Sequence, residues 1–224
     1  NEYSLFKQKR KINEDNSNIS RNIFYKLCSI NEEQFLENIF YEYKPDIIIH
    51  TAAYKHVELL ENNINAALYT NILGTYNLLK LIKKYSIHNF IFISSDKAVR
   101  PSSIMGMTKR FSEILIQNFY KNLNSNFNFS IVRFGNVLES NGSVIPIFID
   151  QLQNNKPLTI TDPNATRFFM TVNEACKLVL ESTVLKKKNN IYLFNMGEPI
   201  KIIDLAHKLT LSYGLKISNN DDRK

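Results

Sequence analysis

The chain has 224 residues, of which 44% are hydrophobic and 22% are charged, and this composition predicts a globular fold with a sizeable core. Its net charge is +7, from 28 Lys and Arg against 21 Asp and Glu. The basic residues are scattered along the sequence, which argues against a nucleic-acid-binding face. A coding bias that favours Lys, Asn and Ile explains the charge most simply, and the functional alternative is a basic site for an anionic substrate such as a nucleotide diphosphate.

The cysteines and histidines predict no metal site. Cys28 and Cys176 lie far apart, outside any metal-binding spacing, and the four histidines form no ligand pair. Unpaired cysteines favour a reducing, cytoplasmic compartment. No apolar run approaches the ~18 residues of a membrane span. Because the chain starts at Asn1 and not at Met, we expect a longer protein in which a membrane anchor can precede residue 1.

The predicted elements follow a polar, Asn- and Lys-rich stretch over residues 1–20, which we interpret as a surface connection. Ser29 or Asn31 caps the first predicted helix, and Pro45 ends the turn after it. Further helices are predicted over 65–85, 104–123, 145–153, 173–185 and 202–211. Strands are predicted over 22–28, 47–50, 89–95, 129–134, 158–161 and 191–194, with a loop over 51–60.

This alternation of short apolar strands with helices predicts an α/β fold with a Rossmann-type, doubly wound parallel sheet. A dinucleotide-binding fold of this kind has a GxGxxG loop after its first strand. The six glycines of the chain form no such motif. We therefore predict that the first β-α-β unit is missing and lies upstream of residue 1.

The strand over 89–95 is followed at once by groups that can move protons. It ends in Ser95, Asp96 and Lys97, and the helix after it carries Met105 and Lys109 four residues apart, on one face. Ligands of open α/β sheets bind beyond the carboxyl ends of the strands. The sequence therefore predicts a reactive site at this edge.

Two other loops that follow strands have residues suited to a ligand. Small side chains over 51–53 allow a flat molecule to lie against the backbone, although a structural turn explains them equally well. Arg167 is suited to a bidentate phosphate contact, but a lone arginine is more often a surface residue.

Seven segments together resemble the polysaccharide-biosynthesis nucleotide-sugar dehydratases, which are extended short-chain dehydrogenase/reductase enzymes acting on UDP-N-acetylglucosamine. The segments are His50-Thr-Ala-Ala-Tyr-Lys-His-Val57, Ser95-Asp-Lys-Ala-Val99, Met105-Gly-x-Thr-Lys-Arg110, Val132-Arg-Phe-Gly-Asn-Val137, Gly142-Ser-Val-Ile-Pro-x-Phe148, Thr166-Arg-Phe-Phe-Met-Thr171 and Met196-Gly-Glu-Pro-x-Lys-Ile202. The resemblance covers residues 45–209 continuously. It implies a partial NAD-binding Rossmann core over 1–140. It also implies a small substrate-binding lobe over 141–224, which includes returning core elements at 190–213 and a truncated C-terminus.

The resemblance implies a lyase, a UDP-sugar 4,6-dehydratase with tightly held NAD, that serves surface polysaccharide or glycan synthesis. Lys109 would bind the ribose hydroxyls of NAD and keep a positive charge near the redox centre. Asp96 would protonate the departing C6 hydroxyl, Lys97 would take the C5 proton, and Ser95 would hydrogen bond near O4. Each also has a structural reading, since Asp96 can cap the loop and Lys97 can be exposed.

Met105 departs from the wider superfamily, which has a tyrosine base four residues before the lysine. A thioether does not accept a proton usefully. Three readings stay open: the chain is inactive, Asp96 or a water takes the O4 proton, or Met105 is normal for one branch of the family. The resemblance supports the third reading.

The resemblance also implies which residues contact the two ligands. Those expected at NAD, besides Lys109, are Ala52, Ala53, Tyr54 and Asn71. Those expected at the UDP-sugar are Lys55, Asn136, Ser143, Val144 and Arg167.

Two alternatives remain: a nucleotide-sugar epimerase of the same fold, and a non-catalytic fragment that binds nucleotide-sugar. The Asp96-Lys97 pair argues against an epimerase, because exchange at C4 needs no elimination. Members of the family commonly assemble through core helices, so a homo-oligomer is expected.

Overall fold

The computed structural model of the chain describes residues 2–14, 22–123, 127–138, 143–185 and 189–216. The strands are β1 (Ile47–His50), β2 (Asn89–Ser95), β3 (Asn128–Phe134), β4 (Asn136–Val137), β5 (Thr166–Arg167), β6 (Phe169–Met170), β7 (Asn190–Leu193) and β8 (Ile200–Lys201). The helices are α1 (Glu2–Glu14), α2 (Glu33–Tyr43), α3 (Val57–Glu61), α4 (Ile64–Ala67), α5 (Gly74–Tyr85), α6 (Ile104–Lys121), α7 (Val144–Gln153), α8 (Val172–Val184) and α9 (Ile202–Ser212).

The central sheet is parallel, with the order β1-β2-β3-β7. Its register pairs His50 with Phe92, and Ser95 with Phe134. Because all four strands run the same way, the loops that follow β1, β2 and β3 meet at one edge of the sheet. The predicted parallel α/β sheet is confirmed.

Helices cover both faces of this sheet. Phe90, Phe92 and Ile131 point to one face, where they pack in the core cluster with side chains of α5 and α6. The other face carries α8, whose Ser182 carbonyl accepts a hydrogen bond from Ser130 Oγ at 3.3 Å. Full burial of each large apolar side chain contributes roughly 1.5–3 kcal/mol. The sheet is therefore doubly wound, as predicted.

Strand β1 lies at the edge of the sheet, and part of it is uncovered. Ile47 and Ile49 point away from α5, and they are 44% and 40% exposed. No strand of the described ranges pairs with the outer edge of β1. This open flank agrees with the prediction that the first β-α-β unit is missing.

Three of the local predictions are wrong. Residues 22–28 form no strand, because they pack along α2, where Phe24 contacts Tyr43 at 5.2 Å between ring centroids. Residues 158–161 also form no strand; the Gln151 side chain binds Thr159 at both the backbone N and Oγ, in place of a strand partner. The predicted connection at the N-terminus contains helix α1, which buries none of its residues. The rest of that stretch lies outside the described residues.

Two further differences concern the segment between β1 and β2. The predicted loop ends in the short helix α3. The predicted long helix is present, but a π-helical segment, Leu68–Leu73, joins α4 to α5. π-Helical turns occur mostly within α-helices, often at functional sites. This one contains Asn71, whose contacts are described below.

Helix α6 is placed against the end of β2 by a close backbone contact. Ser103 caps the helix by accepting a hydrogen bond from the Gly106 N–H at 3.2 Å. A Cβ atom added at Gly106 would lie 2.5 Å from the carbonyl oxygen of Lys97. Glycine therefore allows α6 to approach the turn that carries Lys97.

We predict that Gly106→Ala destabilises the protein, because the new methyl group meets a backbone atom that cannot rotate away. The expected loss in the free energy of unfolding is about 1–3 kcal/mol, even though alanine is the better helix former. Urea unfolding followed by circular dichroism measures it.

Gly74→Ala is the matched control on a neighbouring helix. Its new methyl group meets the end of the Ile30 side chain, which can change rotamer. We expect near-neutral stability for this variant. Equal losses in the two variants would contradict the role given to the Lys97 carbonyl.

Candidate active site

A cavity of about 550 Å³ opens at the carboxyl edge of the sheet. The loops after β1, β2 and β3 form three of its walls, and residues 159–162 form part of a fourth. The predicted site residues that line it are Ala53, Lys55, Ser95, Lys97, Met105, Lys109, Asn136, Ser143, Val144 and Arg167. Ala52, Tyr54, Asn71 and Asp96 are not among its lining residues.

The turn after β2 forms a compact hydrogen-bonded unit around one carboxylate oxygen. Asp96 Oδ1 accepts from Ser95 Oγ at 2.8 Å, from the Lys97 N–H at 2.8 Å and from Lys97 Nζ at 3.0 Å. The Lys97 amine also donates to Asn136 Oδ1 at 3.3 Å. Asp96 therefore holds Ser95 and Lys97 in place while these two line the cavity.

Lys109 brings a buried amine to the same cavity. Its side chain is 7% exposed, and Nζ donates to the Ile93 carbonyl at 2.8 Å and lies 4.8 Å from the centre of the Phe92 ring. Burial lowers the pKa of this amine from 10.5 to about 8, while the Glu113 carboxylate acts in the opposite direction. Lys109 is therefore a cation that loses its proton in mildly alkaline solution.

His50, at the end of β1, is a neutral structural residue. Burial, and then the nearby Lys109 charge, lower its pKa from 6.5 to about 3. Thr75 Oγ donates to the Asn71 carbonyl at 2.6 Å, so the contact of 3.0 Å with His50 Nε2 requires the imidazole to donate. This arrangement fixes one neutral tautomer beneath the site.

Asn71 fixes the loop after β1 through hydrogen bonds to its backbone. Its Oδ1 accepts from the Tyr54 N–H at 2.8 Å, and its Nδ2 donates to the Tyr54 carbonyl at 3.1 Å. Nδ2 also donates to Thr108 on α6 at 2.9 Å. The side chain is 2% exposed and fully engaged, so Asn71 fixes the backbone of residue 54 relative to α6.

Met105 forms an apolar part of the cavity wall. It is 5% exposed and packs with Leu60, Ala67 and Ile104. The thioether thus stands one helical turn before Lys109 and provides no group that exchanges protons.

Four of the residues predicted to contact the UDP-sugar follow β3 in the chain and line the cavity; they are Asn136, Ser143, Val144 and Arg167. Asn136 is held by its backbone N–H, which donates to the Phe168 carbonyl at 3.0 Å. Ser143 Oγ is buried and has no hydrogen-bond partner among the described residues. Arg167 is exposed and donates to the Thr166 carbonyl at 2.7 Å. The cavity is therefore flanked by one hydroxyl without a partner among the described residues and by an exposed guanidinium with N–H groups beyond the one bound to Thr166.

Several lining residues were missed by sequence reasoning. They are His56, Val57, Ile93, Phe134, Gly135, Val137, Thr159, Ile160, Thr161, Asp162, Phe169 and Ile202. Thr159, Ile160 and Thr161 fall in the predicted strand over 158–161, and only the tertiary fold brings them to the cavity.

No cluster of three potential metal ligands occurs in the ranges that the structure describes. Within the same ranges, no helix is both long enough and apolar enough to cross a membrane.

The lowered pKa of Lys109 predicts how stability depends on pH. Between pH 8 and 10.5 the unfolded chain keeps the proton on this amine and the folded chain releases it, so the free energy of unfolding rises with pH. At about 1.4 kcal/mol per pKa unit, the rise is at most about 3 kcal/mol. We expect Lys109→Met to lack this rise in urea unfolding at pH values on both sides of the window.

The control is Lys83→Met, which removes an exposed lysine of α5. Its stability should follow the wild-type pH dependence. If the Lys109→Met and wild-type curves run parallel, the amine is not buried as described.

Comparison with known proteins identifies the family. A family model described as "Polysaccharide biosynthesis protein" matches residues 1–224. The capsular polysaccharide biosynthesis protein CapD of Staphylococcus aureus is 45% identical over 186 residues, which are 83% of this chain and 31% of CapD. UDP-glucose 4-epimerase of Rickettsia bellii is 39% identical over 164 residues, which are 73% of this chain and 48% of the epimerase. The chain therefore spans less than half the length of either relative.

Solved structures agree with this assignment. Pen from Bacillus thuringiensis superimposes with a TM-score of 0.87 at 34% identity, over 97% of this chain and 67% of Pen. The dTDP-glucose 4,6-dehydratase DesIV from Streptomyces venezuelae, solved with NAD and DAU, has a TM-score of 0.77 at 19% identity, over 84% and 63% of the two chains. At this identity, DesIV shows that the two chains share the fold. On the family match and the CapD similarity, this chain belongs to the polysaccharide biosynthesis protein family.

Proposed function

We propose that this chain is the catalytic part of an NAD-dependent nucleotide-sugar 4,6-dehydratase. Its substrate would be UDP-N-acetylglucosamine, and its product the 4-keto-6-deoxy sugar used for surface polysaccharide. The observation that carries the proposal is the Lys97 amine, held between Asp96 Oδ1 and Asn136 Oδ1 at a cavity that also contains the buried Lys109 amine.

The cavity has features that suit NAD. Among the described residues, the Lys109 amine donates a hydrogen bond to the Ile93 carbonyl, and its further N–H groups can serve ribose hydroxyls. Thr51 and Ala53 present small side chains along the loop after β1, which leaves room for a flat ring. Bound NAD would supply the hydride acceptor for sugar C4 and the hydride donor for C6.

The residues around Lys97 suit an elimination of water. A ketone at C4 acidifies the C5 proton, and Lys97 is the amine placed to remove it. Transfer of a proton from the Lys97 ammonium to the Asp96 carboxylate, 3.0 Å away, would leave a neutral amine to take the C5 proton and an acid to protonate the departing C6 hydroxyl. Ser95 Oγ would hydrogen bond near O4. For Asp96 to reach the sugar, its carboxylate must turn from the hydrogen bonds it makes within this turn.

The basic side chains at the cavity suit the UDP part of the substrate. Arg167 and Lys55 provide positive charge at the cavity, and an arginine can bind a diphosphate through two N–H groups. Ser143, Val144 and Asn136 lie beside them. On the other side of the loop after β1, exposed Ala52 and Tyr54 provide surface for the cofactor, and Asn71 would act on that cofactor through the Tyr54 backbone.

An epimerase is the second candidate, and its support is the similarity to the Rickettsia bellii enzyme. Epimerisation at C4 leaves the mass of the sugar unchanged, whereas dehydration removes one water. The Lys97–Asp96 pair at 3.0 Å favours dehydration, because an epimerase needs neither a C5 base nor an acid for O6.

We predict that the full-length protein carrying Asp96→Asn and Lys97→Ala loses turnover of UDP-N-acetylglucosamine by at least about a hundredfold, the contribution typical of lost acid–base groups. Mass spectrometry of the nucleotide-sugar follows the loss of water. Bound NAD should be retained, since neither substitution removes Lys109.

A matched control removes an exposed pair, Lys26 and Glu42, which lie 3.1 Å apart beside α2. Lys26→Ala with Glu42→Gln should leave turnover unchanged. Wild-type turnover in the Asp96/Lys97 variant would exclude the proposed roles.

We also propose that the protein forms a homo-oligomer through one apolar helix face. Phe111 and Ile114 on α6 point outward at helical spacing, and they are 54% and 41% exposed. The helix packed beside α6 adds a second row of exposed side chains, Tyr69, Leu73 and Tyr76. A contiguous apolar face of this kind is typical of protein–protein contacts, and a two-fold axis pairs it with itself.

Phe111→Glu should therefore convert the oligomer into monomers, because it introduces a charge at the centre of this face. Sedimentation velocity of the full-length protein measures the change. Leu180→Glu is the control, since Leu180 is 60% exposed on α8. An oligomer that survives Phe111→Glu, or that is lost in the control, would contradict this interface.

A further inference from the structure

Among the described residues, Glu113 is a fully buried charged group, with a side chain that is 0% exposed. Its Oε1 accepts from Ser94 Oγ at 2.6 Å and from Arg133 Nε at 2.7 Å. Its Oε2 accepts from Arg133 Nη2 at 2.5 Å and from Arg110 Nη1 at 2.9 Å. Burial opposes ionisation, but hydrogen bonds from Arg133, Ser94 and Arg110 prevail and lower the pKa of this carboxyl.

This carboxylate lies behind the cavity and not in its wall. It stands one helical turn after Lys109, and the two side chains bind successive residues of β2. Lys109 donates to the Ile93 carbonyl, and Glu113 accepts from the Ser94 hydroxyl. The residue that follows on β2 is Ser95, where the reactive turn begins.

Glu113 also ties the neighbouring strand to the same helix. Arg133, near the end of β3, makes a two-bond contact with the carboxylate. Three residues further on, Asn136 accepts the hydrogen bond from Lys97 Nζ. One buried anion therefore sets the positions of α6, β2 and β3 at the site.

Titratable and charged side chains face Lys109 from each of the elements that pack around it. His50 on β1 is neutral. Arg110 and Glu113 are on α6, Arg133 is on β3, and the Asp96–Lys97 ion pair is on the turn after β2. Among these, Glu113 is the carboxylate that favours the protonated form of Lys109.

We propose that Glu113 is a positioning residue for the reaction: by binding Ser94 and Arg133 it fixes the end of β2, which carries the Ile93 carbonyl, against α6, and its negative charge favours the ammonium form of Lys109 one helical turn away. The mechanism gives Glu113 no contact with substrate or cofactor, so it acts through Lys109. The relevance to catalysis rests on the proposed function, whereas the effect on the Lys109 amine does not.

The direct test is the pKa of Lys109 itself. Competitive acetylation of the full-length protein with acetic anhydride over a pH series, read by mass spectrometry, gives that pKa because Lys109 lines an open cavity. Glu113→Gln should lower it by about one pH unit, a tenfold loss of the protonated form in mildly alkaline solution. An unchanged pKa in a folded Glu113→Gln protein would overturn the proposal.

Arg110→Gln is a second variant that tests the proposal even if Glu113→Gln does not fold. Arg110 is 39% exposed and contributes one of the bonds to the carboxylate. Its removal leaves more of the Glu113 charge acting on Lys109, so the pKa should rise. A purely structural role would not move the two variants in opposite directions, and a fall in Arg110→Gln would overturn the proposal.

The pH dependence of turnover, compared with the acetylation pKa, distinguishes a failure of this inference from a failure of the proposed function. If Lys109 must be protonated, the alkaline limb of the pH–rate profile moves down in Glu113→Gln together with the acetylation pKa. If the acetylation pKa moves and the profile does not, the proposed role of Lys109 in the reaction is wrong, and of the Glu113 proposal only the effect on the amine stands.

Discussion

The contact between α6 and the end of β2 is the constraint on which the site depends. Gly106 has no side chain where the Lys97 carbonyl approaches, and one turn later the Lys109 amine binds the Ile93 carbonyl. Burying that amine costs at most about 3 kcal/mol by its lowered pKa. This cost is what is left after the Glu113 carboxylate has opposed the effect of burial. The helix thereby places a cation at the cavity, where water cannot screen it fully.

Helix α6 also carries Met105, at the position where the resemblance leads us to expect a tyrosine in the wider superfamily. Met105 packs on Leu60 and Ala67 and completes the apolar wall, so its side chain has a packing role and supplies no group for proton transfer. The groups that can exchange protons lie instead on the turn after β2, within reach of one another through Asp96 Oδ1. We therefore assign the proposed proton transfers to Ser95, Asp96 and Lys97.

The sequence was sufficient for the parallel sheet and for the part of the cavity that follows β2, because apolar strands followed by polar turns leave a local pattern. Lys97 and Met105 were predicted from such patterns, and both line the cavity. Thr159 was missed because its position depends on a side-chain clamp from Gln151, which has no local signature. Glu113 was missed because its partners come from two strands and meet only in the folded chain. The π-helical segment at Asn71 is equally invisible to a pattern of period 3.6.

The origin of the proton at C5 tests the central claim most directly. The full-length protein is incubated with UDP-N-acetylglucosamine in deuterium oxide, and the product is analysed by mass spectrometry and NMR. Elimination through Lys97 predicts a product that has lost one water and carries deuterium from solvent at C5. A product of unchanged mass without deuterium at C5 would contradict a dehydratase and would support exchange at C4 alone.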